Sequence, residues 1–181
     1  MGQYYHALIK KNDDVVVYHN TVNGEYMGAK LMEHSWLRNP FVNAVAEIIY
    51  HNPCQVAWVG DYADETDPEI YKMAYGDDDN EVYARRDLTY DGTFSMEHKY
   101  LVNHTFKEYI DIDDYIKKVD SDWIPHPLSL LTACGNGQGG GDYFSDIHKD
   151  DVGYWKMSLI SVEDKIPDGY TESEIYFKEE F

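Results

Sequence analysis

A single α+β domain, mainly an antiparallel sheet packed by one or two helices, is the fold this sequence predicts. Three observations carry that expectation. Segments rich in Tyr, Val and Ile outnumber segments with helical periodicity. Short turn signals, rather than helical crossovers, join most of them. The 181-residue chain shows no internal repeat and no linker, and it is long enough to bury one core. Residues 1–181 therefore read as one domain.

Gln3–Lys10 and Val15–His19 flank Asn12-Asp13-Asp14 and read as a β-hairpin. Asn23-Gly24 marks a turn within the polar stretch Asn20–Gly28. Lys30–Trp36 reads as a short strand or as a loop entering a helix. That helix is the clearest element, spanning about residues 40–51. Asn39 suits the N-cap, Pro40 the first helical position, and Phe41, Val42, Val45, Ile48 and Ile49 fall on one face. Asn52-Pro53 stops it. Val56–Val59 reads as a buried strand and Glu69–Ala74 as a short helix ended by Gly76. Glu97–Asn103 and Lys107–Ile112 predict a second hairpin around His104-Thr105-Phe106, with a helical turn at Asp113–Val119. Leu128–Ala133 is expected to be extended. Gly153–Val162 reads as a strand, Ile166–Gly169 as a turn and Glu174–Phe181 as a last strand.

Ala133–Phe144 (ACGNGQGGGDYF) holds five of the 13 glycines, and Gly135–Gly140 matches G-x-G-x-x-G. A dinucleotide fingerprint needs a preceding strand, a following helix and the pyrophosphate at that helix's N-terminus. A strand is plausible at Leu128–Ala133, but Asp142–Asp146 has no apolar stripe. No lysine lies among the glycines, and Asp142 stands where a phosphate favours positive charge. The loop reads as backbone geometry or a contact surface, with Asp142 and Tyr143 its most contact-capable side chains. A nucleotide-binding protein or small enzyme using Gly135–Asp142, with Glu33 or His34, is the alternative.

Other chemistry is thin. His51 and Cys54 have ligand-like spacing, but Cys134 is the only other thiol. Asp77-Asp78-Asp79 lacks the glycine and the bidentate Glu of a calcium loop. G-x-S-x-G does not occur. No catalytic residue, metal or cofactor is assigned. Two cysteines suit a reducing compartment, and no apolar run spans a membrane; the expectation is a cytoplasmic protein.

Charge is the dominant global feature: 34 acids face 15 Lys plus Arg, a net −19. Such a field repels nucleic acid and anionic membranes and attracts basic partners. Asp61, Asp64, Glu65, Asp67, Glu69, Asp77, Asp78, Asp79 and Glu81 are nine acids against one base, Lys72. A second set comprises Glu108, Asp111, Asp113, Asp114, Asp120 and Asp122. A third runs from Glu163 to Glu180. Carboxylates along an exposed edge can imitate phosphates, so a Lys/Arg groove would accept them. Solvated faces are the competing reading. The partner-binding set is taken as the nine acids together with Asp142 and Tyr143.

Five stretches carry a resemblance: MGQYY at the start, LMEHSW at 31–36, WVGDYAD at 58–64, GNGQGGGDY at 135–143 and ISVEDKIPDGY at 160–170. Together they resemble a family of small proteins of Firmicutes and their phages and mobile elements. That setting is similar to the one in which type II-A anti-CRISPR proteins occur. The resemblance implies an acidic, phage- or mobile-element-encoded inhibitor of the RNA-guided nuclease, acting in the bacterial cytosol. It carries over no functional residue. An immunity protein neutralising a basic toxin remains the third reading.

Overall fold

The centre of the molecule is set by two strands whose side chains alternate between two cores. β1 (Tyr5–Lys11) pairs antiparallel with β5 (Cys54–Gly60), placing Ala7 opposite Trp58. Tyr5, Ala7 and Ile9 on β1, with Cys54, Val56 and Trp58 on β5, face the larger core. Leu8, Ala57 and Val59 face a smaller one. A period-2 strand with both faces buried needs cover on both sides, and helices supply it. This computed structural model describes residues 1–22, 25–76, 85–88 and 92–180.

Among the described residues, the main sheet has nine strands. β2 (Asp14–His19) forms the expected hairpin with β1, closed by Asn12 at φ 55°. β3 (Thr21–Val22) and β4 (Glu25–Tyr26) make a separate small ladder, and the Asn23-Gly24 turn lies outside the described residues. β6 (Arg85–Asp87) adds in parallel to β2. β7 (Tyr100–Asn103) and β8 (Glu108–Asp111) form the second predicted hairpin. β9 (Ala133–Cys134) joins β5 in parallel. β10 (Leu159–Glu163) bridges β5 and β7, and β11 (Thr171–Glu172) closes the edge beside β8.

Helix α1 (Pro40–Ile48) starts as its sequence dictates: the Asn39 side chain accepts the N–H groups of Phe41 and Val42, and Pro40 occupies the first turn. It packs against the larger core. Helix α2 (Pro68–Tyr75) covers the other face with Ile70, Tyr71, Met73 and Tyr75, ending at Gly76 with φ 85°. Helix α3 (Ile112–Val119) is capped by Asp111, whose carboxylate accepts the Asp113 and Asp114 N–H groups. No helix among the described residues is long and apolar enough to cross a membrane.

Three element expectations need correction. Leu128–Ala133 is not an extended run but helix α4 (Pro127–Leu131), capped by the His126 ring accepting the Leu128 N–H. Its side chains are buried all round, so no helical period was visible. Gly153–Ser158 forms turns, and the strand begins only at Leu159. Gly153 (φ 79°) and Met157 (φ 58°) break the extended backbone. At the C-terminus the last ladder is Thr171–Glu172; Glu174–Glu180 forms none, although Phe177 is fully buried.

Candidate functional site: an acidic corner beside a self-filled glycine loop

The first acidic set begins in the corner between β5 and α2. Gly60 ends the strand and the chain turns immediately. The Asp61 N–H donates to the Tyr4 carbonyl at 2.8 Å, while its carboxylate accepts the Tyr4 N–H at 3.0 Å. Burial pushes the Asp61 carboxyl above its ordinary range, against the pull of that N–H. Ala63 turns inward to the smaller core. Asp67 precedes α2 but does not cap it; its carboxylate reaches Lys156 at 2.6 Å and is nearly buried there.

Asp64 and Glu65 are exposed and make no hydrogen bond or ion pair among the described residues. Glu69 projects from the first turn of α2 with 86% of its side chain exposed and Lys72 at a loose 4.0 Å. The corner thus separates two kinds of acid. Asp61 and Asp67 fix the chain; Asp64, Glu65 and Glu69 face solvent. Asp77, Asp78, Asp79 and Glu81 lie outside the described residues.

Several acids of the other two sets are tied into the fold. Glu108 accepts the Trp155 indole N–H at 3.2 Å, Asp113 holds His98 and Asp114 holds Lys118. Glu163 and Asp164 both engage His51. These carboxylates act as caps and ties as well as carrying charge.

Beside the corner lies the glycine loop, and its geometry answers the motif question. The Asp142 side chain folds back into the loop, and one of its oxygens accepts the N–H groups of Gly137, Gln138 and Gly139 at 2.8, 3.0 and 3.0 Å. The other oxygen accepts the buried Tyr5 hydroxyl at 2.7 Å. Successive backbone N–H groups of this kind form an anion-binding nest. Here the anion is the chain's own carboxylate. The sequence reading had Asp142 repelling a phosphate; it takes a phosphate's place instead.

Two further expectations change with it. Asp142 and Tyr143 are both buried, at 4% and 2% exposure, so neither offers a side chain to a partner. Tyr143 exchanges two hydrogen bonds with the Asn136 side chain, and its hydroxyl donates to the Ile147 carbonyl at 2.6 Å. The glycines serve close approach. A Cβ on Gly139 would sit 2.6 Å from the Gln3 Cβ, where the loop stitches onto the N-terminal segment.

No family model, curated protein or solved structure matches the chain.

The remaining sequence candidates resolve into structure. Lys30 bonds Glu33 at 2.8 Å, and the His34 ring accepts the Lys30 N–H at 3.1 Å, a satisfied pair. Cys54 is buried, whereas His51 is exposed and turned to two carboxylates. Among the described residues no group of three or more His, Cys, Asp or Glu side chains is placed to hold a metal ion.

Two features were missed. One is a hydrogen-bonded chain from His51 through Glu163 and Ser161 to His104 and Tyr170, with links of 2.6, 2.7, 2.7 and 3.0 Å. The alternation of Ser161 and Glu163 on one strand face was its only sequence signal. The other is a group of exposed apolar side chains around the stacked rings of Phe106 and Tyr154, 5.1 Å apart. Their positions, 48 residues apart in sequence, gave no sign of contact.

Proposed function

We propose that this protein is an inhibitor that docks an acidic surface onto the basic nucleic-acid channel of an enzyme, the RNA-guided nuclease of type II CRISPR systems. The observation that carries the reading is the β5–α2 corner. Asp64 and Glu65 stand in solvent there with no ion pair among the described residues, and Glu69 with Lys72 only at 4.0 Å, in a chain of net charge −19. Such a nuclease holds guide and target in positively charged channels and reads its flanking motif with arginines. An acidic partner is drawn to those surfaces by long-range attraction and competes there with DNA phosphates. The acids at 77–79 and 81 extend the same run in sequence. The site of action in this reading is the bacterial cytosol, and the gene is carried by a phage or mobile element.

The filled nest removes the main support for the nucleotide-binding alternative, since Asp142 already satisfies the loop's N–H donors.

The test is a DNA-cleavage assay with purified guide-loaded nuclease from several type II systems. Suppressed cleavage supports the reading. Full cleavage at large molar excess across all of them sinks it. Protection of cells from a basic toxin, with cleavage untouched, would move the function to an immunity protein.

A further inference from the structure

The molecule carries a preformed apolar patch. Phe106, Tyr154 and Leu159 are 44%, 46% and 39% exposed. Phe106 sits on the β7–β8 turn, which the Asn103 side chain fixes by accepting the Thr105 and Phe106 N–H groups at 2.9 Å each. Leu159 is locked to the same turn: its N–H donates to the Thr105 hydroxyl at 2.9 Å, and its carbonyl accepts the His104 N–H at 2.8 Å. Tyr154 is held from below, because its neighbours Gly153 and Trp155 donate to the Leu130 and Leu131 carbonyls. Its ring stacks on Phe106 at an interplanar angle of 21°.

We infer that Phe106, Tyr154 and Leu159 form the apolar anchor of a protein-binding surface whose charged part is the Asp64–Glu69 corner. The link between the two is Lys156. It lies two residues from Tyr154 and holds Asp67 at 2.6 Å. The matching partner is a protein surface with an apolar spot flanked by Lys and Arg. A second copy of this chain fits poorly, because two bodies of −19 repel. The same sign disfavours anionic membranes and nucleic acid, although the rings could stack on bases. Interfaces concentrate binding energy in a few aromatic anchors, and a rigid patch loses little freedom on binding.

This inference rests on the inhibitor reading, and one titration separates the two. Binding of the guide-loaded nuclease is measured over a salt series for the wild type, for Phe106→Ser/Tyr154→Ser and for Asp64→Lys/Glu65→Lys. Each variant's melting temperature is recorded to confirm that it folds. The serine pair is expected to weaken binding by at least about tenfold with an unchanged salt slope. The lysine pair is expected to flatten the slope. Wild-type binding that the serine pair leaves intact overturns the anchor alone. No wild-type binding at any salt overturns the inhibitor reading and the anchor with it. A concentration-dependent dimer abolished by the serine pair overturns the partner assignment in favour of a second copy.

Discussion

Asp142 and Tyr5 meet in the interior at 2.7 Å, with the hydroxyl donating to a carboxylate that also fills the glycine loop. Burial and the neighbouring negative charge drive the Tyr5 hydroxyl well above its ordinary pKa, so it stays a donor. Asp142→Ala removes the acceptor of one hydroxyl and three N–H groups at once. The expected loss is about 3 kcal/mol, read by urea denaturation. Added acetate or formate should restore part of it by entering the emptied nest, whereas ATP should leave the wild-type melting temperature unmoved. A wild-type upshift with ATP would contradict the filled-nest account.

His126 makes the fold acid-sensitive. It is fully buried, its Nδ1 accepts the Leu128 N–H at 3.1 Å, and burial pushes its pKa down to about 3. In the unfolded chain the ring titrates near its ordinary 6.5. Below that value the unfolded state takes up a proton that the native state refuses. Stability therefore falls as pH drops from 6.5 toward 3, by up to about 1.4 kcal/mol per unit. His126→Asn keeps a capping side chain without the titration, so its stability should vary less over that window. Parallel pH profiles would count against the assignment.

The two histidines of the surface chain act in opposite senses. Glu163 and Asp164 raise the His51 pKa, led by the hydrogen bond to Glu163; Tyr50 and Lys99 also face Asp164. Its contribution is full below the unfolded value of 6.5 and is lost as pH rises through the raised native value. Burial lowers the His104 pKa against the pull of Glu163, so its contribution is lost as pH falls below 6.5. His51→Asn, which tolerates the φ of 51°, should lower the melting temperature more at about pH 5.5 than at about pH 9. An equal drop at both would remove the ion pair from the explanation.

Gly153 is a packing requirement as well as a turn. Its φ is 79°, and an added Cβ would lie 2.4 Å from the Ala133 carbonyl oxygen, a backbone atom that cannot swing aside. Gly169 has φ 81° but open space around it. Gly153→Ala is expected to cost more than about 2 kcal/mol and Gly169→Ala about 1 kcal/mol. Thermal unfolding of the two variants decides between clash and φ strain.

Much of the fold was legible because local chemistry fixed it. Asn39-Pro40 and the apolar face behind it specify α1, Asn12-Asp13-Asp14 specifies the first hairpin, and Gly76 ends α2. α4 was not legible, because a helix buried on every side has no polar face to reveal its period. At the candidate site, the exposure of Asp64 and Glu65 suits a polar turn, and that of Glu69 the first turn of a surface helix. That Asp67 would be consumed by Lys156 did not, because its partner lies 89 residues away.

Net charge, the clearest helix and the hairpins are properties of composition and short-range pattern, and the sequence by itself determined them. Which carboxylates remain free was decided only by tertiary structure, since each acid's fate depends on donors brought to it by distant segments. Asp142 shows this most sharply. Sequence placed an acid beside a glycine loop, which reads as repulsion from any anion that loop might hold. Folding turned the same acid into the loop, where four donors hold it, and left Asp64, Glu65 and Glu69 facing solvent.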